Sequence, residues 1–209
     1  MTTKIIDLTL TLYHGMRGVE IQPHTRIATD GYNTTHLKLY SHAGTHMDAP
    51  LHFLEGGATI DQWDLQKCIG PALVLNLTHV EPNALITVAD VAAYADQIEP
   101  GARLLLRTDW DRHAELPDYR THFPRISREL AHWLAARGVW LVGVQTPSVA
   151  SLADREELRD VHQILLRGAI VIVECLANLD QLPPTVTFIA LPLKVQAGDG
   201  SPVRAVAIL

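Results

Sequence analysis

Two periods alternate along the chain. Ile5 to Leu12 mixes β-branched and apolar residues and reads as a strand. His36 to Tyr40 alternates polar and apolar positions, the period of a half-buried strand. Ala72 to Leu77 is a short apolar strand, and Ala102 to Thr108 is apolar enough for a buried one. Thr87 heads a helix through Gln97, with Asp90 at the capping-box position. Ser127 caps a second helix through Arg137, which Gly138 ends. Val139 to Val144 follows as a strand. Arg155 to Leu166 is an amphipathic helix ended by Gly168, and Ala169 to Glu174 is a strongly apolar strand. Thr185 to Leu191 and Val203 to Ile208 are the last two strands. The first half is strand-rich, and helices alternate with apolar strands in the second. The expected fold is therefore α/β, one mixed sheet flanked by helices.

Composition narrows the class. A chain of 209 residues is expected to form a single domain over residues 1–209, with a core that needs no staples. A net charge of −6 without any basic run excludes a nucleic-acid surface. No apolar stretch is long enough to span a bilayer. Met1-Thr2-Thr3-Lys4-Ile5-Ile6-Asp7 lacks the apolar core and cleavage site of a secretory signal, so a cytoplasmic location is expected. Cys68 and Cys175 are the only cysteines, both in apolar contexts, and read as small buried hydrophobes in a reducing compartment.

The candidate chemistry lies in Ser41-His42-Ala43-Gly44-Thr45-His46-Met47-Asp48-Ala49-Pro50-Leu51-His52-Phe53. Three imidazoles and a carboxylate within eleven positions have the composition of a metal site, since both groups bind Zn, Mn and Fe. Gly44 and Pro50 shape the backbone so that several side chains can converge. The plainer reading is a His-rich surface loop. A further anionic ligand is sought at Glu174, which follows an apolar run. A carboxylate placed there needs a partner, a metal or an Arg, and the residues alone leave both open. His162 precedes that strand on the predicted helix. Alone it reads as a surface or core histidine, but the helix can fold back and bring it to Glu174.

The segment His42-Ala-Gly-Thr-His46-Met-Asp48-Ala-Pro50-Leu-His52-Phe resembles the signature of the cyclase-like metal-dependent hydrolases, which include bacterial arylformamidases. Cys68-Ile-Gly70-Pro71-Ala72, Leu106-Arg107-Thr108-Asp109-Trp110 and Val142-Gly143-Val144-Gln145-Thr146-Pro147-Ser148 resemble further segments of that family. Ala190-Leu191-Pro192-Leu193-Lys194 with Gly198-Asp199-Gly200-Ser201-Pro202-Val203-Arg204-Ala205 resembles its C-terminal signature. The resemblance implies the cyclase-like, swivelling β/β/α type of fold and a homodimer or larger homo-oligomer. It also implies a two-metal centre, with zinc first and manganese second as candidates. By the same resemblance His42 and His46 bind one metal, His162 binds the other, Asp48 bridges both and Glu174 touches both. His52 then moves protons. Isatin hydrolases share the fold and are expected to carry an amide where Glu174 stands and to hold one manganese, so Glu174 points to the two-metal branch.

The chemistry of an amide agrees with that set. Two dications about 3.5–4 Å apart can hold a hydroxide and polarise a carbonyl. The amine leaves once an imidazole has protonated it, and His52 suits that task. The expected activity is hydrolysis of a linear amide, N-formyl-L-kynurenine to L-kynurenine and formate. A lactone or cyclic amide is the alternative substrate, and a non-catalytic metal- or ligand-binding protein the alternative of another class. Two differences from the family bear on the substrate. Gln145 stands where the family usually has Asp, and Leu12-Tyr13-His14-Gly15-Met16-Arg17-Gly18 lacks a Pro/Trp-rich loop. Tyr13 and Met16 are expected to supply an apolar substrate wall instead. His14 and His36 read as histidines with no partner in the sequence, and bordering the pocket is the alternative for both.

Overall fold

Strands supply the frame that carries the site. A computed structural model describes residues 3–209. Met1 and Thr2, the start of the leader reading and of the 1–209 domain span, lie outside the described residues. The strands are β1 (Ile5–Asp7), β2 (Val19–Thr25), β3 (Thr34–Leu39), β4 (His46–Asp48), β5 (Ile69–Asn76) and β6 (Leu85–Ile86). They continue with β7 (Arg103–Arg107), β8 (Arg125–Ile126), β9 (Leu141–Val144), β10 (Val171–Glu174), β11 (Thr185–Pro192) and β12 (Gly200–Ile208). The helices are α1 (Ile27–Asp30), α2 (Val88–Val91), α3 (Arg128–Ala136) and α4 (Arg155–Arg167).

Eight strands form one mixed sheet in the order β1-β12-β11-β5-β7-β9-β10-β4. The run β5-β7-β9-β10 is parallel, and β1, β4, β11 and β12 join antiparallel. Gly200–Pro202 of β12 also pairs with β4, so the sheet closes on itself like a barrel. Closure covers the edge of β4 that would otherwise invite pairing with other chains, and leaves the three-residue β1 as the marginal strand.

The two faces of the closed sheet have separate cores. Met47, Leu105, Val171, Val173 and Phe188 fill the interior. Val142, Val144 and Ile172 face outward against Leu130, Leu134, Val161 and Leu165 of α3 and α4. Side chains alternate along a strand. Val171 and Val173 therefore point inward, while Ile172 and Glu174 point toward α4. The same alternation sends Met47 inward and puts its neighbours His46 and Asp48 on the outer face.

Local chemistry sets the element ends. Ser127 accepts from Leu130 N and Asp154 accepts from Glu156 N and Glu157 N, satisfying the first turns of α3 and α4. Thr87 and Asp90 form the expected capping box, but only Val88–Val91 is α-helical and Ala92–Gln97 tightens into 3-10 geometry. The strand predicted from Ala169 starts at Val171, since Ala169 takes a left-handed φ of 53°. The strand predicted over Ile5–Leu12 stops at Asp7: Leu8 N still donates to the Ala205 carbonyl, but Ala205 N donates to Thr9 Oγ1 rather than to a backbone carbonyl. His36 to Tyr40 falls largely in β3, which pairs only with β2, so it is an exposed strand rather than a half-buried one. Among the described residues no helix is long and apolar enough to cross a membrane.

Candidate metal centre

The closed sheet and α4 bring the predicted donors to one place. His46 lies directly opposite Glu174, and Asp48 opposite Ile172, in the β4–β10 ladder. On α4, Leu158, Val161, His162, Leu165 and Leu166 form the stripe that faces the sheet. His162 therefore enters the core from the helix side. His52 sits on the one-turn 3-10 helix Pro50–His52, where its ring stacks on His42 with centroids 3.9 Å apart.

The donors fall into two overlapping groups, His42–His46–Asp48 and Asp48–His162–Glu174, whose ligand atoms lie within 4.8 Å of one another. Asp48 belongs to both. His46 Nδ1 donates to the Gly44 carbonyl at 2.8 Å, which turns Nε2 toward Glu174 Oε2 at 3.3 Å and Asp48 Oδ1 at 3.6 Å. His162 Nδ1 donates to the Leu158 carbonyl at 2.6 Å, which leaves Nε2 at 3.5 Å from Glu174 Oε1 and 3.7 Å from Asp48 Oδ2. Second partners of this kind fix the ring orientation of metal-binding histidines. Gly44 holds a φ of 58°, and a Cβ there would lie 2.5 Å from Leu12 Cδ2. Gly200 is needed for a different reason, because a Cβ there would lie 2.7 Å from the His42 ring.

These residues fit divalent cations. Asp48 Oδ2 is buried and accepts no hydrogen bond, a costly arrangement for a carboxylate that a cation would relieve. Three imidazoles and two carboxylates are nitrogen and oxygen donors suited to zinc or manganese. Glu174 accepts from Val149 N at 2.8 Å and faces His46 and His162. Among the described residues no Arg pairs with it, so the Arg alternative does not apply.

Asp199 was missed at the level of sequence. Its Oδ2 lies 3.1 Å from His42 Nε2 and 3.7 Å from His52 Nδ1, and the three form another donor group. The signal lay in Gly198-Asp199-Gly200, an acid between two glycines in a stretch that otherwise reads as a plain turn.

The charges at the centre are mutually dependent. Burial opposes the charged rings of His46 and His162, yet Cys175 beside His46 and the Glu174 and Asp48 carboxylates beside both outweigh it and raise the two imidazoles, His46 far above its ordinary value. Burial also disfavours ionised Glu174, but His162 and His46 hold its carboxyl well below the usual range. The raised histidines stabilise the metal-free fold below pH about 6.5, and lose that contribution as pH rises through their elevated values. The depressed Glu174 contributes above pH about 4.3, and loses it as pH falls through its lowered value. A cation must displace the imidazolium protons. Zinc binding to metal-free protein at pH 7 is thus expected to release protons, with affinity falling about tenfold for each unit that pH is lowered, per proton displaced. Calorimetry in buffers of different ionisation enthalpy measures this, and a pH-independent affinity would contradict it.

Two cavities meet at the centre. One, of about 210 Å³, is lined by His42, His46, His52, His162 and Glu174. The other, of about 360 Å³, is lined by Leu10, Tyr13, Met16, Leu116, Pro117 and Tyr119 among others. Tyr13 and Met16 therefore lie beside the donors rather than among them. His14 and His36 line neither cavity: His14 Nδ1 accepts from Ile21 N, and His36 packs on His24.

Comparison with known proteins decides the family. Residues 6–151 match the family described as "Putative cyclase". The chain belongs to this cyclase family. It is 34% identical to the kynurenine formamidase of Bacillus cereus over 83% of this chain and 79% of that one. The kynurenine formamidase of Bordetella petrii gives the same figures. Among solved structures, an isatin hydrolase bound to the product analogue thioisatinate superposes with a TM-score of 0.85 at 27% identity, covering 99% of this chain and 92% of that one. A potential metal-dependent hydrolase with cyclase activity gives a TM-score of 0.83 at 26% identity, covering 99% and 98%. This cyclase-family member is a hydrolase of α/β fold.

Gln145 lies outside both cavities. Gln145 Oε1 accepts from Thr108 N and Asp109 N, each at 2.8 Å, and its Nε2 donates to Asp111 Oδ1 at 2.6 Å. Asp111 in turn accepts from Asn178 N. An amide can donate to Asp111, whereas a carboxylate would face another carboxylate. Gln145→Glu is expected to destabilise the fold by about 1–3 kcal/mol, with Asp111→Asn restoring part of the loss. Denaturant unfolding of the single and double variants checks this, and purely additive losses would contradict it.

Proposed function

We propose that this hydrolase cleaves an aryl formamide, converting N-formyl-L-kynurenine to L-kynurenine and formate at a two-metal centre. The observation that carries the reading is the sharing of Asp48 between two donor groups, with Glu174 and His162 completing the second. His42 and His46 would hold one cation and His162 the other, with Asp48 and Glu174 as the carboxylate ligands available to both, and zinc first and manganese second are the candidates. The kynurenine formamidases at 34% identity support the formamide substrate.

When bound, the cations supply Lewis acidity, polarising the substrate carbonyl and acidifying water so that it attacks at neutral pH. The chain does the rest. Burial and the neighbouring His42 and His162 lower the His52 pKa, so its ring is neutral and basic at pH 7. His52 Nδ1 faces Asp199, and Nε2 is the atom left to accept the proton of the attacking water and deliver it to the departing nitrogen. An aryl amine leaves more readily than an alkyl amine. Tyr13, Met16 and Leu116 offer the aryl ring an apolar wall.

A second reading keeps the centre and replaces the linear amide by a cyclic amide or a lactone. The isatin hydrolase likeness favours it. A panel of N-formylkynurenine, isatin and an aryl lactone separates the two. Turnover of the formamide alone supports the first reading, and turnover of isatin alone overturns it. We further assign the protein to the cytoplasm as a homodimer. Exposed Ile27, Tyr32 and Leu37 on the hairpin of β2, α1 and β3 support self-association.

A further inference from the structure

The two cavities share three residues, Arg17, His42 and Arg120. A substrate reaching from His42 toward Tyr13 and Met16 therefore lies in a cavity that both arginines also line. Arg120 is unlike the other inner arginines. Arg103 donates to the Lys67 carbonyl, Arg107 to Asp109, Arg125 to Glu157 and Arg137 to the Ala95 carbonyl. Among the described residues, Arg120 is the half-buried arginine with no such acceptor. A partly desolvated guanidinium without an anion is costly. Arg17 is also without a salt bridge among the described residues, and its guanidinium lies over the Tyr40 ring, 5.2 Å from the centroid. Glu115 lines the outer cavity and pairs with neither.

We infer that Arg17 and Arg120 form a carboxylate-binding pair that makes the enzyme selective for aryl amides bearing an anionic group remote from the scissile bond. The inference rests on the amide-hydrolase reading above. Planar guanidiniums match carboxylates with paired hydrogen bonds, a geometry Lys does not reproduce. Both arginines line the cavity at the donors and the cavity that carries the apolar lining, so an anionic substituent on the aryl ring can meet them while the scissile bond lies at the donors. The centre itself does not need them.

The test compares ligands that differ only by a carboxylate. Zinc-loaded protein is titrated calorimetrically with kynurenine and with kynuramine, its decarboxylated analogue. Wild type is expected to prefer kynurenine by about tenfold or more, as a charge-assisted contact requires. Arg120→Gln should abolish most of that preference and Arg120→Lys should keep part of it, with Tm checked for each. The ratio of kcat/KM for N-formylkynurenine over N-formylkynuramine should fall about tenfold in Arg120→Gln, mainly through KM. An unchanged ratio, or a wild type that binds both ligands alike or neither, overturns the pair. A wild type that binds kynurenine selectively but hydrolyses no aryl formamide leaves the pair standing and removes the reaction assigned to it.

Discussion

Replacing His52 by Gln is expected to lower kcat about 10²- to 10⁴-fold while metal content stays at the wild-type level. Gln fills similar space but cannot carry a proton between water and the leaving nitrogen. In the structure His52 is the more exposed of the clustered imidazoles, with a quarter of its side chain accessible, against 7% or less for His42, His46 and His162. It stacks on His42 without entering either donor group that contains Asp48. The pH profile gives a second readout. Because the His52 pKa is lowered, the acid limb of wild-type kcat/KM should lie below pH about 6.5, with a plateau near neutrality. That limb should vanish in His52→Gln. Activity within a few-fold of wild type would show that another group moves the proton.

Asp48→Asn is expected to cost both the metal and the reaction. Asp48 is the residue common to the two groups, and its Oδ2 has no hydrogen-bond partner. Losing its charge weakens both sites at once, whereas loss of His162 removes a donor from one. Dialysed Asp48→Asn protein should retain less than about half the wild-type metal and less than about 1% of its activity, since several kcal/mol of charge stabilisation are lost. The rise in Tm that zinc gives the wild type should shrink by the same change, because binding to the folded state is what stabilises it. Full metal content with full activity in Asp48→Asn would contradict the shared-carboxylate arrangement.

Much of the site was legible in the sequence for a physical reason. Imidazoles and a carboxylate crowded into residues 42–52 repel or desolvate one another unless a cation gathers them, and a carboxylate after an apolar strand must find a partner. Strand period fixed the face that Glu174 shares with Ile172, and helix period placed His162 on the buried stripe of α4. What stayed hidden depends on long-range closure. Asp199 reaches His42 only because β12 pairs with β4 across some 150 residues, as in Gly200 opposite Asp48. The outer cavity wall comes from a polar segment with no period, residues 110–120, whose place is set by Gln145 and Asp111. The strand β2 was missed because Pro23 interrupts it and most of its side chains are solvated, so no buried face marks it.

The most direct test of the account is metal content measured by elemental analysis on the same sample assayed for N-formylkynurenine hydrolysis, before and after chelation. The prediction is about two divalent cations per chain, loss of activity with their removal and recovery on adding zinc or manganese. Full hydrolysis by protein shown to be metal-free would contradict it.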